Sequence, residues 1–150
     1  MIHDRGTLLT IDLTERETRE TDIDTVLSEY IGGRGVATAL AHDRVPFDAD
    51  PFGPENRLYF TTGPLQTSRT SFTGRTNATA VSPLTEGLLS SNAGGFVSRN
   101  LKGTGHAAVE LVGASDELVG VHVTDEGVEF EAVPDLAGAL TSEVTEHVRG

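Results

Sequence analysis

From Leu8 to Leu13 apolar and polar positions alternate, and the polar run Thr14-Glu15-Arg16-Glu17 follows. The pattern predicts a strand, a turn and a second, polar strand from Thr18, together an edge hairpin. Val26, Leu27, Tyr30 and Ile31 then fall on one helical face, with Asp22 or Asp24 as the cap and Gly32-Gly33 as the stop. A second helix is predicted from Val36 to about Arg44. The stretch FDADPFGPEN after Pro46 has the composition of an exposed loop leading into an apolar strand, Leu58 to Thr62, which Gly63-Pro64 breaks. Thr76 to Val81 alternates β-branched and small residues as another strand, and Phe96 to Lys102 suits a short helix. His106 to Val112, Glu117 to Thr124 and Val128 to Val133 read as three antiparallel strands in succession, the last two joined by a hairpin at Asp125-Glu126-Gly127. After Pro134, the spacing of Leu136, Leu140, Val144 and Val148 predicts a final helix. Local strand pairs with helices inserted between them make one α+β domain over residues 1–150, built on antiparallel sheet.

One run departs from this apolar patterning. Ser71 to Phe96, SFTGRTNATAVSPLTEGLLSSNAGGF, is poor in branched apolar side chains and rich in glycine, hydroxyls, asparagine and a single arginine. Flexible backbone and hydrogen-bond donors in such a run suit the cradling of an anion. Arg75, after Gly74, is the first candidate, because guanidinium offers a planar fork of donors to phosphate oxygens. Gly94 and Gly95 allow close approach of backbone to a ligand, and a helix beginning near Phe96 aims unpaired N–H groups at an anion. The alternative for Arg75 is a surface arginine paired with one of the many acids. Gly32-Gly33-Arg34-Gly35 reads equally well as a helix end and tight turn, so Arg34 ranks below Arg75. Arg69 and Arg99 read as solvated ion pairs.

Charge narrows the partners. The 23 acidic and 11 basic residues give a net charge of −12, which opposes binding to nucleic acid. Lys102 is the one lysine beside ten arginines, and an acidic, lysine-poor surface points to a salt-adapted, halophilic source. At molar salt the Debye length shrinks to about 3 Å and such self-repulsion is largely screened. The chain has no cysteine, which removes thiolate nucleophiles and cysteine-ligated zinc or iron–sulfur sites within these residues. The N-terminal stretch lacks a signal-peptide core and no run reaches the roughly 18 apolar residues of a membrane span, so a cytoplasmic location is expected. His3, His42, His106, His122 and His147 are scattered without metal-ligand spacing. Asp48, Asp50 and Glu55 lack the order of a calcium loop and read as a solvated acidic loop. No nucleophile elbow, Walker lysine or dinucleotide fingerprint occurs.

Six landmarks read in order carry a resemblance: Asp12-Leu13-Thr14, Tyr30-Ile31-Gly32-Gly33-Arg34-Gly35, Pro54-Glu55-Asn56, Thr62-Gly63-Pro64-Leu65, Ser82-Pro83-Leu84-Thr85 and Ser91-Asn92-Ala93-Gly94-Gly95. Together they resemble the N-terminal domain of the tungsten-containing aldehyde ferredoxin oxidoreductase family. The resemblance implies a base of antiparallel sheets on which a tungsten, or less favoured molybdenum, bis-pterin cofactor rests. It implies that Gly74-Arg75 contacts a pterin phosphate. It also implies that the Asn92-Ala93-Gly94-Gly95 backbone adjoins the cofactor, the Asn92 carbonyl helping to bind a magnesium ion that bridges the two phosphates. Arg34 is carried over more loosely. The family's later domains, which bind a four-iron four-sulfur cluster, are absent from these 150 residues. This chain departs from the family in having no tryptophan, Leu136-Ala137-Gly138 where an aromatic residue with glycine is common, and Thr76 in place of an aromatic after the Gly-Arg pair.

Two functions follow as expectations. The first is the cofactor-cradling part of an oxidoreductase that converts an aldehyde and water to a carboxylic acid and passes electrons to ferredoxin, with remaining domains or a partner chain supplying the cluster. No catalytic acid or base is assigned here, and the isolated domain is expected to be inactive. The second is a non-catalytic pterin- or phosphate-binding module, or a structural subunit needing a partner chain.

Overall fold

The computed structural model describes residues 6–66, 68–71 and 73–150; His3 and Phe72 lie outside the described residues. The first hairpin is as the alternation predicts, β1 (Thr7–Asp12) pairing antiparallel with β2 (Glu17–Asp22). Leu8, Leu9 and Ile11 are buried, whereas the charged β2 is mostly exposed and forms one edge of the sheet. Asp12 shapes the turn, its Oδ1 accepting the backbone N–H groups of Thr14 at 2.9 Å and Glu15 at 3.1 Å. Neither expected acid is the N-cap of α1 (Asp24–Tyr30), a position held by Ile23 without a side-chain cap bond: Asp22 Oδ1, one residue earlier, accepts the Asp24 N–H at 3.0 Å, and the Asp24 carboxylate accepts the Gly6 N–H at 2.6 Å.

α2 (Gly33–Arg44) begins three residues before its apolar pattern, because the glycines let it start close against the sheet. A Cβ at Gly32 would lie 2.9 Å from the Thr62 carbonyl oxygen and 3.1 Å from Pro64 Cδ. The helix lays Val36, Ala37, Leu40 and Ala41 onto the sheet beside α1, over Leu8, Tyr59 and Ala108. β3 (Leu58–Thr62), β4 (Arg75–Val81), β5 (Leu88–Gly94), α3 (Val97–Gly103) and β6 (Ala108–Val112) follow in chain order. The six-stranded sheet has the order β2-β1-β6-β3-β4-β5, antiparallel except where β6 lies parallel to β1. Its other face buries Leu9, Ile11 and Val109 against Leu101 of α3 and against Val121, Val123, Val128 and Phe130, as the period of two requires.

The expected run of three neighbouring strands from His106 is corrected. β6 inserts between β1 and β3, and only β7 (Val119–Val123) and β8 (Val128–Ala132) pair locally, as a separate two-stranded sheet. The reason is burial: Ala108, Val109 and Glu110 are all buried, so β6 needs cover on both faces and both edges, which a central position supplies. The last helix is also shorter than its pattern. Leu136 belongs to a 3₁₀ turn, Pro134–Leu136, and α4 (Thr141–Arg149) starts after Gly138, with the Leu140 N–H donating to Glu143 Oε2 at 2.6 Å. No helix among the described residues is long and apolar enough to cross a membrane.

The link from β6 back to the β1 turn is tight. Gly113 has φ of 71°, and a Cβ there would collide with Thr14 Oγ1 and lie 3.1 Å from Asp12 Oδ1. Thr14 Oγ1 itself donates to the Ala114 carbonyl at 3.1 Å and accepts from the Ala114 N–H at 3.1 Å. Gly113→Ala is therefore expected to destabilise the domain by about 1–3 kcal/mol, read as a lowered denaturation midpoint. A midpoint equal to that of the parent protein would mean the turn adapts freely.

Candidate functional site

The glycine- and hydroxyl-rich run is not a loop. Its second half is β5, a seven-residue strand on the far edge of the sheet, hydrogen-bonded along β4. The sequence hides it because β5 buries almost nothing: its residues are exposed or half-buried, so no apolar alternation marks it. Backbone pairing alone defines the strand, and as an edge strand it leaves half of its peptide groups without a ladder partner.

This pairing gathers the predicted residues. Arg75 lies directly opposite Gly94, Thr76 opposite Ala93 and Asn77 opposite Asn92, and the Gly95 N–H donates to the Gly74 carbonyl at 3.1 Å. Gly74, Arg75, Asn92, Ala93, Gly94 and Gly95 thus share one end of the β4–β5 hairpin. Arg34 joins that end, in the first turn of α2: Thr61 Oγ1 donates to the Gly33 carbonyl at 3.0 Å, and the next residue, Thr62, pairs with Thr76. The Arg75 side chain is exposed and, among the described residues, makes no hydrogen bond or ion pair, so the reading as a surface partner of an acid is not what the structure shows. Gly95 has φ of 132°, which side-chain-bearing residues rarely adopt, and a Cβ there would meet nothing within 4 Å. The backbone beside Arg75 is therefore bare and open on the outside. A guanidinium fork next to uncovered peptide groups is a donor set that fits a phosphate.

Two residues that the sequence reading missed brace this end. Asn77, 1% exposed, donates through Nδ2 to Ser90 Oγ at 2.7 Å, the Ser91 carbonyl at 3.1 Å and Asn92 Oδ1 at 3.3 Å, while its Oδ1 accepts from Thr79 Oγ1 at 2.8 Å. The Asn92 side chain is thereby engaged within the hairpin. Gln66, also buried, donates from Nε2 to the carbonyls of Thr73 and, at 3.0 Å, Arg75, tying the turn after β3 to the start of β4; its Oε1 is buried without a partner among the described residues. A polar residue at an inward position of a strand is the one signal that marks Asn77 in the sequence.

A second polar centre lies at the other end of β3. The register aligns Tyr59, Glu110, Thr10 and Arg19 in a row across four strands. Glu110, with no exposed surface, accepts from Tyr59 Oη at 2.7 Å, Thr10 Oγ1 at 2.8 Å, Arg57 at 3.0 Å and Arg44 at 3.2 Å. Burial acts to raise its pKa, but the bonds from Tyr59, Thr10 and Arg57 and the Arg44 charge outweigh it and hold the carboxyl below the usual carboxylate range. Burial and the neighbouring Glu110 push the Tyr59 phenol well above its ordinary value, so it stays protonated as the donor. Elsewhere, no group of three or more histidine or carboxylate side chains among the described residues could hold a metal ion. Asp50 caps its own loop, accepting the Phe52 N–H at 2.9 Å.

Comparison with known proteins agrees with the landmarks. The family described as aldehyde ferredoxin oxidoreductase, N-terminal domain, matches residues 8–150. A tungsten-containing aldehyde ferredoxin oxidoreductase of Thermococcus kodakarensis is 32% identical over 139 residues, covering 92% of this chain and 23% of that protein. An aliphatic sulfonate oxidoreductase, WOR-like subunit, of Pyrococcus furiosus is 27% identical, covering 96% of this chain and 25% of that protein. Among solved structures, the active-site complex BamBC of benzoyl coenzyme A reductase, in complex with 1,5-dienoyl-CoA, superimposes with a TM-score of 0.92 at 32% identity, covering 99% of this chain and 23% of the other. The chain spans about a quarter of the length of each of these proteins.

Proposed function

Because the chain belongs to the aldehyde ferredoxin oxidoreductase family, matching its N-terminal domain over residues 8–150, we propose that it forms the base on which a tungsten bis-pterin cofactor rests. The whole protein would oxidise an aldehyde with water to a carboxylic acid and deliver the electrons to ferredoxin through a four-iron four-sulfur cluster held outside these residues. The observation that carries this reading is Arg75, without a side-chain partner among the described residues, paired across the hairpin with Gly94 and next to the open backbone at Gly95. Arg75 would hold a pterin phosphate by its fork, with Gly74 fixing its approach and Arg34 adding positive charge from the first turn of α2. The Asn92 side chain is engaged by Asn77, so a magnesium contact there falls to the Asn92 backbone carbonyl, an oxygen donor of the kind magnesium takes. Ala93, Gly94 and Gly95 would let the ring system lie close to the strand.

Bound there, the metal centre supplies the two-electron chemistry; this domain binds and orients it. The tungsten, aldehyde and ferredoxin assignments follow relatives such as the Thermococcus kodakarensis enzyme. The sulfonate and benzoyl coenzyme A relatives have comparable identity, so this base by itself does not choose the substrate.

The test is to purify the whole natural protein at high salt from cells supplied with tungstate and to measure metal and pterin per chain. Near-stoichiometric tungsten with a pair of pterins is expected. A folded, full-length protein with neither would overturn the reading and favour a module that binds some other phosphate.

A further inference from the structure

We propose that Arg19, Arg44 and Arg57 form a second anion site, which takes inorganic phosphate or a phosphate monoester at the end of the sheet away from Arg75. Arg44 is the last residue of α2 and Arg57 immediately precedes β3, whereas Arg34 and Thr62, which pairs with the Thr76 next to Arg75, lie at the opposite ends of those two elements. With twelve residues, α2 separates its ends by about 18 Å. The site is an open depression of about 430 Å³ lined by Arg19, Thr21, Arg44 and Arg57, with no carboxylate in its wall.

That wall is unusual in a chain with 23 acidic residues against 11 basic ones. Glu110 beneath it accounts for only part of the charge. One guanidinium balances one carboxylate; Arg44 and Arg57 both bond Glu110, each through a single nitrogen, and keep 27% and 30% of their side-chain surface exposed. Arg19 stands at the end of the Tyr59–Glu110–Thr10 row and makes no hydrogen bond or ion pair among the described residues. The three arginines and Glu110 leave a formal charge of +2 (three minus one) facing a hydroxyl from Thr21. Buried Glu110 also holds two of the three forks in place before any ligand arrives, which lowers the ordering cost of binding. Asp12 and Glu17 line the adjoining depression with Arg19 and Arg57 and are the local competitors. Asp12 Oδ1, however, is already engaged by the Thr14 and Glu15 N–H groups. Donor forks from three separate elements suit a tetrahedral, doubly charged anion better than a single planar carboxylate.

The experiment titrates inorganic phosphate, and separately methyl phosphate, into the complete, cofactor-loaded protein by calorimetry at fixed pH and ionic strength, with chloride balancing the salt. Arg19 is the residue to vary because it touches neither Glu110 nor the cofactor end. Saturable binding is expected, weakened about tenfold in Arg19→Gln and more nearly retained in Arg19→Lys. Binding of inorganic phosphate alone identifies the free ion as the ligand; binding of both identifies the monoester class. No saturable binding in the parent protein, as when an acidic side chain from elsewhere fills the depression, overturns the proposal, and so does equal affinity in Arg19→Gln.

Discussion

Arg75→Ala in the complete protein is expected to strip tungsten and pterin together while leaving the unfolding transition in place. The side chain is exposed and bonds no other described residue, so its removal costs the fold little. A hydrogen bond to a charged group contributes about 1.5–3 kcal/mol, which corresponds to about ten- to a hundred-and-fifty-fold weaker retention of the cofactor. Arg75→Lys keeps the charge but not the fork and should fall between the two. Metal analysis and pterin quantification after gel filtration, beside a thermal melt of the apoprotein, separate binding from folding. Full cofactor content in Arg75→Ala would remove this residue from the site.

The largest stability effect belongs to Glu110. Removing one partner of a buried, bonded charge pair costs about 3–5 kcal/mol, and Glu110→Ala should sit at the lower end because Arg44 and Arg57 retain contact with solvent. Glu110→Gln, which keeps the shape, should cost less. The pH dependence has a definite sign. The folded carboxyl titrates below its unfolded value of about 4.3, so its contribution is present above that pH and is lost as the pH falls through the lower folded value. Urea midpoints of the parent protein and Glu110→Gln should therefore differ at neutral pH and converge in acid. Parallel curves across the whole range would show that the carboxylate charge is not what binds the network.

Comparing these residues with their signals in the chain shows where sequence patterning is informative. Apolar residues mark β1, β3 and β6 because each buries side chains, and burial is written residue by residue. β5 carried no such mark, since an edge strand of serine, asparagine and glycine is held by peptide hydrogen bonds that do not depend on side-chain type. Arg75 and Asn92 could be nominated from motif order, but Asn77 and Gln66 could not, as their roles arise from what the chain places around them. Glu110 lay inside an apolar strand, Ala108–Val112, where one inward carboxylate gives no hint of its partners.

The sequence by itself determined the class of the domain, most of its elements and the family through six ordered landmarks, and it nominated the arginine and glycines proposed to meet a phosphate. Local periodicity carries that information, because which face of a strand or helix is apolar depends only on neighbouring residues. The tertiary structure alone decided that β6 enters between β1 and β3, that Arg75 stands across from Gly94, and that Arg44 and Arg57, 66 and 53 residues from Glu110, close on it. Strand order and charge pairing are settled by competition among many distant partners for burial and compensation, and no local pattern records which partner wins.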